Sequence, residues 1–414
     1  MFLSRRDFLK TTVGVPILMS LKSVAPNSLA NAAMAAAPRR NDRNTVLVVV
    51  QLSGGNDGLN TVVPYGDDEY ARNRPTLSLP PKDLHKIDSF IGFHPRMAAF
   101  MRLYKEGHLS IIHAVGYPNS DRSHDGAMQV WHTADPDQPN RQTGWLGRAA
   151  DSILQPDMTT VPAVFVGPIA RPFGLNAEHA IIPSIQSANN LTIKPIQNES
   201  LSKHITKLPR IEKGDSLLSF LQESVSNANA MSKRIETAAG ASSNAAEYPS
   251  FRLAGHLHTI AQLIRADVGI RIFYAELGGG GIGGFDNHAN QLGNHCALLH
   301  QLSESLAAFI DDLKSDKLLD RVLLMTISEF GRTVRENGRR GTGHGAAAPI
   351  FLAGSKLKSG IIGSHPSLTD LDKDGLKFHT DFRCVYATIL DKWLGFDSRI
   401  VLDGQFEPLD MLNA

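Results

Sequence analysis

The sequence predicts an α/β fold in which a doubly wound, mostly parallel sheet is sandwiched by helices. Continuous apolar runs recur along the chain, and such runs suit strands that are covered on both faces. Amphipathic helical patterns separate these runs, and this alternation is typical of doubly wound sheets. The predicted strands are residues 45–52, 109–115, 161–166, 270–277, 322–327 and 349–353. The predicted helices are residues 94–105, 287–313 and 380–394.

Each predicted element follows from its own pattern. The strands read, in chain order, TVLVVVQL, LSIIHAV, VPAVFV, IRIFYAEL, VLLMTI and PIFLA. The three helices each place apolar residues on one side, at the spacing of a helix with one buried face. The last helix has Thr380 as its expected N-cap and Asp381 in its first turn, where a carboxylate is favourable.

Composition and charge exclude several classes of protein. The chain has 414 residues, 42 Lys and Arg against 41 Asp and Glu, and 2 Cys. This balance excludes a disordered, collagenous or disulfide-scaffold protein, and it offers no electrostatic drive toward nucleic acid. The 16 His are numerous enough that their positions need explaining.

The N-terminus resembles a twin-arginine export signal. SRRDFLK at residues 4–10 precedes a short apolar run, and small-residue cleavage sites follow near residues 30–35. The apolar run is too short to span a bilayer, so we expect no integral membrane segment in the mature chain. The expected organisation is a signal peptide at 1–32, a linker at 33–44 and one α/β domain at 45–414. The expected location is periplasmic or secreted, with the twin-arginine translocase as partner during export.

Residues 184–250 break the α/β pattern and predict an insertion or cap. They are rich in Asn, Ser, Ala and Lys, with one credible helix starting near Asp215. The glycine tract at 278–284 follows a strand but does not match GxGxxG entering a helix, which argues against a dinucleotide site. Cys296 and Cys384 are expected either to pair in an oxidising compartment or to remain as two buried free thiols.

Polar residues that can bind a metal follow four of the predicted strands, in segments 53–60, 117–125, 285–288 and 328–332, with 341–345 shortly after the last. Sites in open α/β sheets form outside the carboxyl ends of the strands. Each residue also has a structural explanation. Asp57 suits a turn, Asp286 suits a helix cap, and Glu329 can pair with Arg332. Their coincidence at one edge predicts a clustered site for a divalent metal.

At these residues the chain resembles the family of exported proteins called DUF1501, which is similar in fold to the alkaline phosphatase and sulfatase superfamily. The matching segments are QLSGGNDGLNTVVPYGDDEYARNRPTL, FHPRMAAFMRLYKEGHLSIIHAVGYPNSDRSHD, GWLGR, GGFDNHANQ, TISEFGRTVRENGRRGTGHG and HTDFRCVYATILDKWLG. They span nearly the whole mature chain apart from the insertion. The resemblance implies an alkaline-phosphatase-like fold.

The resemblance also implies a set of site residues. The implied metal ligands are Asp57, Asp286, His288, Glu329 and His344. Ser123 or Ser120 stands where a nucleophile is expected, and Arg122 or Arg332 would bind the anionic group of the substrate. Asn56 and Asp125 fit positions that orient ligands, and His124 and His379 are further possible site residues. The implied cofactor is a divalent metal, with zinc as first choice and manganese, magnesium, calcium or iron as alternatives.

The chain departs from the family pattern at two positions. Gly343 stands where the family often has Asp, and Asp125 stands where it often has an aromatic residue. Loss of the first carboxylate implies either a single metal or a non-catalytic site, unless Asp125 compensates. The chain also lacks Cys-x-Pro-x-Arg, which argues against a formylglycine mechanism.

Two functions are therefore expected as alternatives. The first is an exported, metal-dependent hydrolase of a phosphate, sulfate or related ester, in which Ser123 or a metal-bound water attacks a small anionic substrate. The second is a non-catalytic periplasmic protein that uses the same cleft to bind a glycan or a protein partner.

Overall fold

A computed structural model of the chain describes residues 44–138, 141–154, 161–167, 170–186, 247–278 and 284–413. All of them belong to one unit, residues 42–414. The predicted signal peptide at 1–32 and all but the last residue of the linker at 33–44 lie outside the described residues. So do most of the predicted insertion and its helix near Asp215.

Sixteen strands are found among the described residues. They are β1 (Val46–Leu52), β2 (Val62–Val63), β3 (His85–Lys86), β4 (Gly92–Phe93), β5 (Leu109–Gly116), β6 (Ala163–Val166), β7 (Ser184–Ile185), β8 (Ile272–Leu277), β9 (Val322–Ile327), β10 (Arg332–Glu336), β11 (Thr342–His344), β12 (Ala348–Gly354), β13 (Gly360–Ile362), β14 (Leu371–Asp372), β15 (Gly375–Leu376) and β16 (Thr380–Asp381).

The central sheet confirms the predicted fold class. Its order is β13-β5-β12-β9-β1-β8-β6-β7, and β16 pairs with β5. Strand β1 lies in the middle and pairs in parallel with β8 and β9. Strand β12 runs antiparallel to both of its neighbours, β5 and β9, while the other pairings in this sheet are parallel. All six predicted strands are present, with ends that shift by one or two residues.

Helices cover both faces of the sheet. They are α1 (Asp68–Asn73), α2 (Ala98–Lys105), α3 (His124–Thr133), α4 (Trp145–Ile153), α5 (Arg252–Arg265), α6 (Gln291–Ser315), α7 (Phe382–Thr388), which continues as a π-helix at Ile389–Leu394, and α8 (Ser398–Leu402). Alternate residues of β1 are buried in two different clusters. Val46, Val48 and Val50 pack with α2, α5 and α6, whereas Leu47 and Val49 share a core with α3, α4 and α7.

Two predicted helices begin later than their apolar patterns suggest. His94 precedes Pro95, which disfavours a helical conformation at His94, and α2 starts at Ala98. Helix α6 starts at Gln291 rather than Asn287 because the preceding segment is held by another part of the chain. The backbone N–H groups of Asn290 and Gln291 donate to the carbonyls of Arg339 and Arg340.

The last helix is capped by a different residue from the one predicted. Thr380 lies in β16, which pairs with β5 at Val115. The carboxylate of Asp381 accepts the N–H of Arg383 and is the N-cap of α7. The strand pairing takes Thr380 out of the helix, and the cap therefore moves one residue along the chain.

Several residues that are close to the site in sequence pack against other side chains or bind the backbone elsewhere in the fold. Trp131 packs on Phe382, Trp145 stacks on Tyr386, and Arg148 donates to backbone carbonyl groups. Cys296 and Cys384 are both free thiols. Within the described residues, no helix is long and apolar enough to cross a membrane.

Candidate metal centre

Four chain segments bring polar side chains to one edge of the sheet. Asp286 follows β8, Glu329 follows β9, and His124 begins α3 just after β5. His344 ends β11 and precedes β12. Because β12 is antiparallel to β9, its amino end lies at the same edge as the carboxyl ends of the parallel strands. The edge predicted from the sequence is where these residues meet.

Three imidazole rings converge on one carboxylate oxygen, Oδ1 of Asp286. The Nε2 atoms of His288, His344 and His124 lie 2.9, 3.3 and 3.4 Å from it. The Nε2 atoms of His288 and His344 are 3.0 Å apart. Ligand atoms of His124, Asp286 and His344 all lie within 4.8 Å of one another, which is compact enough for one metal ion.

The other ring nitrogen of each histidine already has a partner. Nδ1 of His288 is 2.9 Å from the carbonyl oxygen of Thr342, and Nδ1 of His344 is 2.6 Å from that of Arg122. A carbonyl oxygen only accepts, so both Nδ1 atoms carry hydrogen, and each ring in its neutral form presents an Nε2 lone pair to the cluster. Metal-binding histidines are typically oriented in this way.

His124 is oriented by a carboxylate instead of a carbonyl. Its Nδ1 lies 2.9 Å from Oε1 of Glu329, whose side chain is 3% exposed. Its Nε2 is buried without a hydrogen-bond partner. The hydrogen bond and charge of Glu329 raise the pKa of His124. A buried, unpartnered nitrogen that faces a carboxylate and two further lone pairs fits a site for a cation.

Arg332 holds the loops that carry these ligands. Its guanidinium is fully buried and donates to Oδ1 of Asp286 at 2.8 Å and to the carbonyl of Phe285 at 3.1 Å. It also donates to the carbonyl groups of Gly54 and Gly55. Burial alone would raise the pKa of Asp286, but the hydrogen bond and charge of Arg332 lower it below the ordinary value. The side chain of Asp286 is therefore ionised and can bind a cation.

The turn after β1 lies so close to Asp286 that it requires glycine. Gly54 has φ +108°, and a Cβ there would lie 2.5 Å from the backbone nitrogen of Asp286. Its own N–H donates to Oε1 of Glu329 at 2.7 Å. Gly54 thus connects the backbone of the Asp286 loop with the carboxylate that orients His124.

Asp57 lies apart from this cluster of ligand atoms. It is 1% exposed and forms an ion pair with the fully buried Arg74 at 2.6 Å. It also accepts from Gln291 and from the N–H of Leu59. Burial opposes ionisation, but the charge and hydrogen bond of Arg74 lower the pKa of Asp57. These contacts indicate a structural role for Asp57. The sequence analysis gave such a role as one of the two explanations for this residue.

The hydroxyl of Ser123 and the guanidinium of Arg122 have other partners. The Ser123 hydroxyl accepts the N–H of Gly126, caps α3, and donates to Asp121 at 2.8 Å. Arg122 donates to the carbonyl of Asp372 at 2.6 Å. The Ser120 hydroxyl is buried without a hydrogen-bond partner.

The remaining predicted residues lie at the margin or below the cluster. Asp125 is exposed in the first turn of α3. Asn56 is buried beneath the site, where its Oδ1 lies 3.1 Å from Nε2 of His295. His379 is exposed, and its backbone N–H donates to Ala114.

Sequence reasoning placed His124 only among the possible site residues, and it missed Arg74, Gln291 and Phe330. Phe330 stacks on His344 and packs against His124 at centroid distances of 4.5 and 5.0 Å. The position of His124, in the segment that follows β5 and next to the expected nucleophile Ser123, was the signal available. No sequence spacing indicated Arg74, because its partner Asp57 lies 17 residues away, with β2 and α1 between them.

Comparisons with known proteins identify the family of this chain. A family model described as "Protein of unknown function (DUF1501)" matches residues 44–404. None of the curated proteins compared with this chain matches it significantly. The C-terminal periplasmic domain of EcEptC from Escherichia coli, in complex with Zn, is 11% identical with a TM-score of 0.38, over 77% of this chain and 75% of that chain.

Two further solved structures are similar at the same level. PsFucS1 sulfatase from Pseudoalteromonas sp. is 8% identical with a TM-score of 0.40, over 92% of this chain and 72% of that chain. A protein in the alkaline phosphatase superfamily from Vibrio parahaemolyticus is 10% identical with a TM-score of 0.38, over 80% of this chain and 65% of that chain. Similarity at this level carries no conclusion about activity.

Proposed function

Since the chain belongs to the DUF1501 family over residues 44–404, we propose a function for it from the metal centre: it is a metal-dependent hydrolase of a phosphate, sulfate or related ester. The observation that carries the proposal is the convergence of three imidazole Nε2 atoms on Asp286. We propose His124, Asp286, His288 and His344 as the ligands. Three histidines and one carboxylate suit zinc best, with manganese, iron, magnesium or calcium as alternatives.

The arrangement supports one cation rather than two. Asp57 is neutralised by Arg74, and Gly343 supplies no carboxylate where the family often has one. With His124 in its neutral form, the carboxylates of Asp286 and Glu329 and the single guanidinium of Arg332 leave one excess negative charge around the cluster. A divalent cation at the three Nε2 atoms would compensate this charge.

A bound divalent cation supplies Lewis acidity, polarising an ester oxygen or lowering the pKa of water. The residues of the chain orient the ligands of the cation. Glu329 keeps the Nδ1 proton on His124, and the carbonyls of Thr342 and Arg122 do the same for His288 and His344. Arg332 fixes Asp286 against the Gly54 turn. The ligands are thus oriented before any cation binds, which favours tight binding.

The N-terminal sequence supports a proposal about location. We propose that residues 1–32 direct export by the twin-arginine translocase and that the mature protein acts in the periplasm or outside the cell. Since that route carries folded proteins, the cation would be bound before export.

One observation favours the alternative, a non-catalytic binding protein on the same fold. The Ser123 hydroxyl caps a helix and Arg122 binds Asp372, so the residues that the family resemblance assigned to attack and to anion binding are engaged elsewhere. On this alternative the cation serves to shape a cleft for a glycan or protein partner.

Turnover of model esters separates the two functions. The mature protein, loaded in turn with zinc, manganese, magnesium, calcium and iron, is tested on p-nitrophenyl phosphate, p-nitrophenyl sulfate and a phosphodiester. The hydrolase predicts turnover with at least one cation, lost in Asp286→Asn and kept in His300→Ala, a partly exposed histidine on α6. A cation-loaded, folded protein that hydrolyses none of these esters would favour the binding function.

A further inference from the structure

A second group of polar side chains lies at the carboxyl end of β1, on the face covered by α3. Gln51 of β1 is in register with Glu276 of β8. The carbonyl oxygen of the Gln51 side chain accepts from the Tyr274 hydroxyl and lies 3.1 Å from Nε2 of His132. Strands buried on both faces are normally apolar here. Polar residues in a strand that is otherwise apolar often mark a functional site.

Ser53 is the residue of this group at the surface of the sheet edge. Its hydroxyl donates to Oε1 of Glu276 and accepts from Nε2 of Gln51 at 2.7 Å. Both Ser53 and Glu276 are partly exposed. Within the described residues, no Lys, Arg or His forms an ion pair with Glu276. A carboxylate that has a serine hydroxyl and no cation as its partner is arranged to take the serine proton.

The backbone presents Ser53 on a sharp turn. Strand β1 ends at Leu52, and Gly54 and Gly55 follow with φ of +108° and +75°. A serine on a tight turn directly after a central strand is the arrangement that exposes a nucleophile in other α/β hydrolases. The turn also adjoins the metal centre, since the Gly54 N–H donates to Glu329, the carboxylate that orients His124. The hydroxyl of Ser123, by contrast, caps a helix.

We propose that Ser53 is the nucleophile of this protein and that Glu276 is its general base, an inference that rests on the proposed hydrolase function. Oγ of Ser53 forms a bond to the phosphorus or sulfur of the ester while its proton passes to the Glu276 carboxylate. The bond to the leaving oxygen breaks, and that oxygen takes the proton from Glu276. Water then displaces Oγ, one water proton returns to Ser53 by way of Glu276, and the acid is released.

Covalent labelling with diisopropyl fluorophosphate tests this dyad without requiring a substrate. Oγ of Ser53 attacks phosphorus, fluoride leaves, and the serine proton passes to Glu276, so one diisopropylphosphoryl group is added. Peptide mass spectrometry of the wild-type protein locates the group. We expect it on Ser53, absent in Ser53→Ala and formed about 100-fold more slowly in Glu276→Gln, which preserves the shape of the side chain. Thermal unfolding of each variant checks that it is folded.

The labelling is carried out on chelator-treated and on cation-loaded protein. The results therefore distinguish failure of the proposed hydrolase function from failure of the Ser53–Glu276 dyad. Labelled Ser53 in a protein that binds no cation and hydrolyses no ester would overturn the hydrolase and leave the dyad standing. Ester turnover that is unchanged in Ser53→Ala, with no label on Ser53 in the wild type, would overturn the dyad. A label on Ser123 instead of Ser53 would overturn it as well.

Discussion

Asp286 is the residue around which the proposed metal centre is arranged. Its Oδ1 lies within 3.4 Å of four nitrogen atoms, one from Arg332 and one from each of three histidines. Arg332 donates a hydrogen bond, but an imidazole that is neutral and carries its hydrogen on Nδ1 presents a lone pair at Nε2. A lone pair directed at a carboxylate is repulsive unless a proton or a metal ion lies between the two. The proposed metal ion would relieve this repulsion.

Glu329 tests the orientation of the ligands without removing one of them. In Glu329→Gln the side chain retains its shape but loses the charge that holds the Nδ1 proton of His124. We expect cation affinity to fall about 10–100-fold, measured by competition with a chromogenic chelator. The control is Glu336→Gln, whose carboxylate instead binds the backbone of Thr76 and Leu77. Equal affinities in the wild type and Glu329→Gln would show that Glu329 does not act through His124.

Asp57 is expected to act on stability and not on the cation. Asp57→Asn leaves the buried Arg74 guanidinium without its anionic partner, and removing one partner of a buried ion pair costs about 3–5 kcal/mol. Denaturant unfolding should show this loss of unfolding free energy, while the cation content stays at the wild-type level. Loss of the cation with unchanged stability would make Asp57 a ligand, as the family resemblance implies.

Among the elements of the fold, the turn after β1 connects the central sheet with the proposed metal centre. Gly54→Ala introduces a Cβ 2.5 Å from the nitrogen of Asp286, at a φ that L-residues disfavour. The left-handed conformation alone costs about 1–2 kcal/mol, and the Asp286 loop has to shift. We expect a lower midpoint of thermal unfolding together with weaker cation binding.

Gly255 supplies the matched control for Gly54. It lies within α5, and a Cβ there would meet nothing within 4 Å. Gly255→Ala should raise the stability by up to about 1 kcal/mol through helix propensity and leave cation binding unchanged. If both variants bind the cation equally well, the Gly54 turn does not position Asp286.

Some of these elements could be predicted from the sequence and others could not. The six strands and the edge at which Asp286, Glu329 and His344 meet follow from apolar runs and from what comes after them. The antiparallel direction of β12 could not be predicted, because an apolar run carries no sign of its direction. Pairing between distant segments, such as Asn290 with Arg339, fixed the start of α6. Such contacts depend on the tertiary structure.

At the scale of the whole molecule, buried histidines link stability to pH. Burial lowers the pKa of five of them from the ordinary value of 6.5: to about 3 for His94 and to about 4 for His113, His132, His256 and His295. Between pH 6.5 and 4 the unfolded chain therefore binds protons that the folded chain does not. Stability rises with pH where the unfolded state binds more protons, so it is lost on acidification through this window.

We expect the denaturant midpoint to fall continuously as the pH is lowered from 7 toward 4. Each of these histidines contributes up to about 1.4 kcal/mol per pH unit below its unfolded pKa. Circular dichroism at a series of pH values measures the midpoint, and His132→Gln should flatten the dependence. A midpoint that stays constant down to pH 5 would show that these rings are not held neutral by burial.

Elemental analysis of the protein, purified without chelator, shows whether the proposed metal centre holds an ion. It is performed on the wild type, the Asp286→Asn/His288→Ala double variant and the His300→Ala control. The metal centre predicts about one equivalent of zinc or another divalent cation in the wild type and control, lost in the double variant. A folded wild type that holds no metal and gains none on reconstitution would contradict the metal centre, as would a double variant that retains the ion.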